Sequence, residues 1–411
     1  MPGTFRGHWS CFVLQMRYRI KEGSALIESA VAKPSGLRGP HLLDITMFWS
    51  PSGGGVARYI RSKRAWLHTH SNWRHTIITP GLPTAETSGF NAPALPLSGG
   101  YRFPLRRNAA TRAIMQEEPD LIEAGDPYRF AWAALDAGQQ LGIPVAAFYH
   151  SNLDALIDHK ITRAVRPAVR RYLHHLYSQY DTVFAASHWS VDTLRNIGLS
   201  NVVLQPLGVD CELFHPRRRD EQWRAEVGFK DSDVVLLYAG RFAPEKNLDQ
   251  LAAAVAQLGA PYVLAAIGDG PRPPSGTRVR ILPYQAQSLQ LARALASADV
   301  FVHAGDQETF GLAPLEALAC GTPAIVRARG GLRDLIDGHA AVGVERDGCN
   351  AFAETIREVA PHALTLRDAA RRRACEFDAD RAFSQLLHRY TAMRCAPRFG
   401  AAETNEQRYA A

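Results

Sequence analysis

The six cysteines of this 411-residue chain are scattered, and none forms a CxxC pair. That weakens structural zinc and dithiol redox chemistry and points to a reducing compartment. No apolar run approaches the roughly 20 residues that a membrane-crossing helix needs. The one apolar run near the start, Cys11 to Leu14, is too short for a signal-peptide core. Zinc-finger spacing and an aromatic RNA-binding sheet signature are also missing. The formal charge of +7 is therefore better read as attraction for an anionic substrate or lipid than for nucleic acid.

What is present suits a globular protein with real cores, 46% hydrophobic and 21% charged. The length exceeds one ordinary domain and suggests two. The first 40 residues are basic and are left unassigned: a disordered extension, an extra strand, or translation from an upstream start. From Leu42 the chain alternates short apolar runs with helical patterns. A first domain is expected over 41–210 and a second over 211–376, with the polar segment His215–Glu221 suited to a linker. A last helix is expected over 377–395 and a disordered tail over 396–411. Continuous apolar strands separated by helices predict parallel sheets covered on both faces, so the fold class is α/β. The carboxyl-end loops of two such domains would enclose a cleft.

The stretch His303–Gly331, HAGDQETFGLAPLEALACGTPAIVRARGG, concentrates the chemistry. It reads as the end of a strand, a loop, a short helix from Leu312 to Cys320, a strand, and a second loop. Glu308 lies in the first loop and Glu316 about one turn into the helix. Between them, the backbone N–H groups of Phe310, Gly311 and Leu312 can approach an anion at a helix start. Hydroxyl acceptors beside phosphate donors suit a nucleotide sugar. A second phosphate-type turn follows the first strand, at Gly53-Gly54-Gly55 before VARYIRSKRAW.

Other elements read in order. Leu42–Phe48 and Arg74–Thr79 are strands. Pro80–Gly100 is a long loop. Helices are expected at Arg106–Gln116 and Phe130–Leu141, with a strand at Val145–Phe148 leading to His150. The helix around His159–Leu176 separates a basic face (His159, Arg163, Arg166, Arg170, His174) from an apolar one (Ile161, Val165, Val169, Tyr172, Leu176), with Pro167 expected to kink it. This is an ordinary surface helix or a contact for anionic membrane. Ser190 is expected to cap the next helix. In the second half, strands fit Val234–Ala239, Tyr262–Ile267, Val279–Leu282, Asp299–His303, Ala324–Arg327 and Ala341–Val344, and Leu332–Ile336 is read as helix.

Taken together, these pieces resemble the retaining glycosyltransferases of the GT-B fold, in particular family 4. The matching residues are Gly53–Ala57, His150, Leu207-Gly208-Val209-Asp210, Gly240-Arg241 with Glu245-Lys246-Asn247, Gly268-Asp269-Gly270-Pro271, and Glu308–Leu312 with Glu316. The resemblance covers about residues 42 to 393. Leu207 departs from the usual Asn, and the segment after Gly268–Pro271 is short and proline-rich.

The resemblance implies two Rossmann-like domains facing each other across a cleft, the last helix crossing back to the first. It implies transfer of a hexose, mannose favoured, from a nucleotide-diphosphate sugar to a lipid-linked or saccharide acceptor, as in polysaccharide or glycolipid biosynthesis. GDP-mannose is the favoured donor and a UDP-sugar the other choice; no tightly bound cofactor is expected. Arg241 and Lys246 would hold the diphosphate, Glu316 the ribose, and Glu308 the sugar hydroxyls and the developing positive charge. Gly54 and Gly55 would close over the diphosphate from the first domain, while Gly240 opens the Arg241 loop. His150 would orient the donor sugar, and Asp210 reads as structural. Tyr284 lies in a loop on the expected side of the base and is not assigned. No carboxylate stands where a double-displacement nucleophile would, so same-face attack fits better.

No DxD-like pair lies near the site, so no metal requirement is expected. The expected placement is cytoplasmic, free or peripheral on the cytoplasmic face of the membrane, and the sequence carries no signature of oligomeric state. A nucleotide-sugar epimerase, hydrolase or phosphorylase of the same fold is the rival enzymatic reading, and a non-catalytic nucleotide-sugar-binding protein the non-enzymatic one.

Overall fold

A computed structural model describes residues 39–49, 54–90, 94–96, 101–151 and 165–396, and those from Pro40 onward belong to one compact unit. The expectations for the N-terminal extension and the final tail fall, but for a few edge residues, outside the described residues. So does the part of the expected basic helix from 159 to 164.

In the first half the strands are β1 His41–Ile45, β2 Arg74–Pro80, β3 Ser88–Phe90, β4 Ala94–Pro96, β5 Arg102–Pro104, β6 Leu121–Ala124, β7 Val145–Tyr149, β8 Thr182–Ala185 and β9 Val202–Leu204. Seven form one sheet in the order β3-β2-β1-β6-β7-β8-β9, every pairing parallel. β4 and β5 form a separate antiparallel pair. The helices are α1 Gly55–His70, α2 Arg107–Gln116, α3 Arg129–Leu141, α4 Arg166–Tyr177 and α5 His188–Arg195. Side chains alternate across the sheet as period 2 requires. Leu43 and Ile45 pack with Ile122, Phe130 and Ala134 on one face, while Leu42 packs with Tyr59, Leu67 and Phe148 on the other.

The second half repeats the plan. Strands β10 Val234–Ala239, β11 Tyr262–Ile267, β12 Val279–Leu282, β13 Val300–His303, β14 Ala324–Arg327 and β15 Ala341–Val344 form a parallel sheet ordered β12-β11-β10-β13-β14-β15. Its helices include α6 Glu221–Glu226, α7 Leu248–Leu258, α8 Ser288–Ser297, α9 Leu312–Ala319, α10 Cys349–Val359 and α11 Arg367–Cys375. The last helix, α12 Ala379–Cys395, returns to the first sheet. There Trp66 Nε1 donates to Asp380 at 2.8 Å, and Phe383, Leu386 and Tyr390 are buried.

These two strand orders position the site. Each sheet has one point where successive strands depart in opposite directions: between β1 and β6 in the first, between β10 and β13 in the second. Such switch points leave a crevice at the carboxyl ends of the strands. Gly54 and Gly55 follow β1, and Gly240, Arg241 and Lys246 follow β10. Glu308 follows β13.

Several local expectations are corrected. Pro80–Gly100 is not one loop: Ser88–Phe90 adds an edge strand beside β2, and Ala94–Pro96 pairs with β5. Ser187, not Ser190, caps α5, its side chain accepting the Ser190 N–H at 3.1 Å. Pro167 sits in the first turn of α4, where its missing N–H breaks no helical bond, so it starts the described helix instead of kinking it. The buried face of α4 is Leu173, Leu176 and Tyr177, whereas Val165 is 46% exposed. Residues Gly330–Leu335 wind as a 3-10 helix, because Gly330 and Gly331 hug the backbone of the Glu308 loop.

Candidate active site

Two helix starts face each other at this crevice. α1 begins on Gly54 (φ 131°) and α9 on Gly311 (φ 107°), conformations that a side chain disfavours. Neither start has a side-chain cap or an acid in its first turn. Their first N–H groups therefore remain donors, with the positive end of the helix dipole behind them. A Cβ on Gly55 would lie only 3.9 Å from Leu312 Cδ1. The backbone N–H groups of Gly55 on one side and Gly311-Leu312 on the other thus belong to one place. Phe310 itself is a core residue, its ring edge-on to Phe377 at 5.7 Å.

Glu316 lies one turn into α9 and is buried. The resemblance assigns its carboxylate to a ribose; in the structure it receives Arg58 from the first turn of α1. Arg58 Nη1 is 2.7 Å from both Glu316 oxygens, with side-chain exposures of 27% and 3%. The Glu316 charge raises the Arg58 pKa further, and Tyr284 adds to that effect. Arg58 was not picked out from the sequence. The readable signal was a cation in the first turn of a helix, where the dipole is unfavourable without an anionic partner.

Glu308 is held by two donors. Lys246 Nζ donates to Oε1 in a short ion pair, and His303 Nε2 lies 3.1 Å from the same oxygen. The Gly305 N–H donates to His303 Nδ1 at 3.1 Å, which leaves Nε2 to carry the proton that Glu308 accepts. Burial alone would push the Glu308 carboxyl up, but the Lys246 charge and the His303 hydrogen bond outweigh it. They hold the carboxyl well below the usual carboxylate range. His303 was read only as the end of a strand.

His150 lies just past β7. Its ring stacks on Phe148 at 4.3 Å and 3°, and Nε2 is buried with no partner among the described residues. Burial, helped by the Lys63 charge, pushes its pKa down to about 3, so the imidazole is neutral at ordinary pH. The Thr309 hydroxyl donates to the His150 carbonyl at 3.0 Å, and the Thr309 carbonyl accepts from Ser187 at 2.8 Å and Ser190 at 3.2 Å. The loop carrying Glu308 is thereby fastened to the first half, beside His150.

Arg241 extends from Gly240, its side chain 56% exposed and paired with Glu245 at 3.4 Å. Its carbonyl accepts the Tyr238 hydroxyl at 2.9 Å, and the Tyr238 ring lies 5.6 Å from that of His303. Asp210 is an internal cap, accepting the N–H groups of Glu212 and Leu213 at 3.0 and 2.8 Å. Among the described residues, no group of three or more His, Cys, Asp or Glu could hold a metal ion, and no helix is long and apolar enough to cross a membrane.

The crevice thus offers N–H donors, exposed and paired cations, an ionised acid and a neutral imidazole around one space, a set that can seat a diphosphate beside a sugar. Comparison with known proteins agrees. Residues 53–213 match the family model described as Glycosyltransferase Family 4, and residues 219–374 that described as Glycosyl transferases group 1. A GDP-mannose-dependent alpha-(1-6)-phosphatidylinositol dimannoside mannosyltransferase of Mycobacterium tuberculosis is 29% identical over 380 residues, 87% of this chain and 98% of that protein. A GDP-mannose-dependent alpha-mannosyltransferase of the same species is 30% identical over 292 residues, 69% of this chain and 75% of the relative. Among solved structures, the fold is similar to sucrose-phosphate synthase from Thermosynechococcus elongatus (TM-score 0.68, 21% identity, 86% of this chain and 99% of that one). It is also similar to Anabaena HepE in complex with UDP and glucose (TM-score 0.69, 18% identity, 86% and 100%). With both sheets, both helix starts and these relatives in agreement, the chain belongs to the family 4 glycosyltransferases of GT-B fold and transfers a sugar from a nucleotide-diphosphate donor.

Proposed function

We propose that this enzyme is a GDP-mannose-dependent, retaining mannosyltransferase acting on a lipid-linked or saccharide acceptor at the cytoplasmic face of a membrane. The observation that carries the reading is the facing pair of uncapped helix starts beside an ionised Glu308 and a neutral His150. Mannose and GDP are supported by the relative that aligns along 87% of the chain.

In this reading the diphosphate lies between the starts of α1 and α9. As the sugar–phosphate bond breaks, negative charge grows on the departing phosphate, and Arg241 and Lys246 attract it more strongly than in the ground state. Lys246 is then shared between phosphate and Glu308. The Glu308 carboxylate stays ionised and faces the sugar, where positive charge develops. His150 offers its unpartnered Nε2 to a sugar hydroxyl and orients the ring. Glu316 exchanges its bond with Arg58 for the ribose hydroxyls. The acceptor hydroxyl attacks from the face that the phosphate leaves, and the phosphate takes its proton. The acceptor binds on the first half. The exposed Arg166, Arg170 and His174 of α4 give that half a basic surface toward anionic lipid.

The test is a thermal-shift panel of GDP-mannose, GDP and UDP-sugars, followed by anomeric analysis of the product by NMR. A selective GDP-mannose shift and an α-linked product support the reading. A shift with UDP-sugars alone, or an inverted product, overturns it. Salt-sensitive binding to vesicles containing anionic lipid, reduced in Arg166→Gln/Arg170→Gln, tests the membrane placement; binding indifferent to both changes rejects it.

A further inference from the structure

The described chain passes from the first sheet to the second through Leu207–Phe214 and comes back through Phe377–Ala379. These crossings are bonded to each other. Val209 N donates to the Phe377 carbonyl at 2.9 Å, and Ala379 N donates to the Val209 carbonyl at 3.0 Å. A Cβ on Gly208 would lie 2.5 Å from Ala379 Cα, so the strands touch backbone to backbone. Two residues beyond Val209 stands Cys211, and two residues before Phe377 stands Cys375. Their sulfurs are 3.6 Å apart although the residues are 164 positions apart in sequence. Cys211 is buried and Cys375 is exposed. The three other described cysteines are not paired this way: the Cys320 thiol is directed at the Ala292 carbonyl, that of Cys349 at Asn350, and Cys395 is exposed at the end of α12.

We propose that Cys211 and Cys375 are a redox modification site, and that their disulfide fastens the two crossings and restrains the movement of one half against the other. A bonded S–S distance is about 2.05 Å, so thiols already in van der Waals contact need only a small side-chain approach. The restraint matters because the crevice is bridged by Arg58–Glu316 and by Ser187–Thr309, and the two helix starts nearly touch. A diphosphate can enter between them only when the halves part. That rotation has to be taken up at the crossings.

The oxidant is a low-molecular-weight disulfide such as glutathione disulfide. Burial pushes the Cys211 thiol up to about 12, so the exposed Cys375 reacts first. Its thiolate attacks one sulfur of the oxidant, forming a mixed disulfide and expelling one glutathione thiolate. Cys211 then loses its proton to solvent and attacks Cys375 Sγ, expelling the second. Two protein thiols are oxidised, and one small disulfide is reduced to two thiols.

The experiment treats the full chain with glutathione disulfide or with dithiothreitol. It reads a peptide map by mass spectrometry, the thermal midpoint, and GDP-mannose turnover. The expected result is a Cys211–Cys375 peptide, a raised midpoint and lowered turnover, all reversed by dithiothreitol and absent in Cys375→Ser. Because Cys375 is exposed, that variant keeps the fold, which its own reduced midpoint checks. No such peptide, a cross-link that leaves midpoint and turnover unchanged, or the same response in Cys375→Ser would overturn the proposal. The turnover readout rests on the donor reading given above. Absent turnover in the reduced enzyme would count against that reading, while the peptide map and midpoint still decide the disulfide.

Discussion

Replacing Lys63 with Met tests how the site is mounted. Lys63 lies on the inner face of α1, 1% exposed, and its ammonium donates to Asp44 at 2.8 Å and Glu123 at 2.7 Å. Tyr390 of α12 completes the group, 3.3 Å from Lys63 Nζ and donating to Glu123 in a short hydrogen bond. Burial drives both carboxyls toward neutrality; the Lys63 charge opposes this and, with His75 bonded to Asp44, holds Asp44 low while Glu123 stays raised. Met fills similar space but leaves Glu123 without its cation and Asp44 with His75 alone, 2.7 Å from its second oxygen. Breaking such a pair costs about 3–5 kcal/mol, a large part of the roughly 5–15 kcal/mol that holds a domain folded.

The pH dependence has a definite sign. Without the cation, Glu123 loses the charge that held its raised carboxyl down, and His75, 2.7 Å from Asp44, loses the charge that disfavoured its protonation, so the folded state binds more protons. Stability of Lys63→Met therefore increases as pH falls and decreases above neutrality. Urea unfolding at pH 8 and pH 5.5 is the assay. The expected loss against wild type is about 3–5 kcal/mol at the higher pH and clearly less at the lower one. A loss below about 1 kcal/mol, or the same loss at both values, would refute the reasoning, since it would mean that water or a rearranged core satisfies the acids.

Four further outcomes follow from the same geometry. Glu308→Gln removes the charge but keeps the shape, and should lower single-turnover transfer by about 100-fold or more while GDP affinity by calorimetry changes little. Gly54→Ala places a Cβ 2.9 Å from the Tyr101 hydroxyl at φ 131°, so it should cost about 1 kcal/mol or more of stability in urea unfolding and weaken donor binding. His150 has a folded pKa pushed from 6.5 down to about 3. Its contribution is complete above pH 6.5 and is lost as pH falls, so His150→Phe should flatten the acid side of the stability curve between pH 6.5 and 4. Tyr390→Phe removes the hydroxyl shared by Glu123 and Lys63, and should destabilise by about 2 kcal/mol in the same unfolding assay.

The frame was legible because parallel sheets write themselves as continuous apolar runs. VVLLYA, YVLAAI and AIVR are strands within a residue or so of where their composition puts them. Gly54, Glu308 and Glu316 were picked out from the strand–loop–helix pattern, Glu316 one turn into its helix, whereas Lys246 was picked out through the family resemblance. Partners were not legible. Nothing local tells Arg58 that it will meet Glu316 258 positions later, or His303 that, while closing its strand, it will donate to an acid five residues on. The caps failed for a related reason: Ser187 and Ser190 are both competent residues, and only the Thr309 carbonyl, brought from the other half, fixes their geometry.

One helix joins these observations mechanically. α1 has 16 residues and runs about 24 Å. At its start lie Gly55 and Arg58, the latter on Glu316; at its middle Lys63 is clamped to β1 and β6; near its end Trp66 bonds Asp380 of α12. Buried charges make the middle contact costly to break, whereas the Arg58–Glu316 bond is partly exposed and can be exchanged for a ribose. So α1, the first sheet and α12 move as one body when the crevice opens. Only the segments around Val209 and Phe377 remain to bend, because the returning helix is anchored on the far side of them. Locking those segments should therefore leave the chemistry intact and slow only entry and release, giving lower turnover with an unchanged single-turnover rate for donor bound before oxidation.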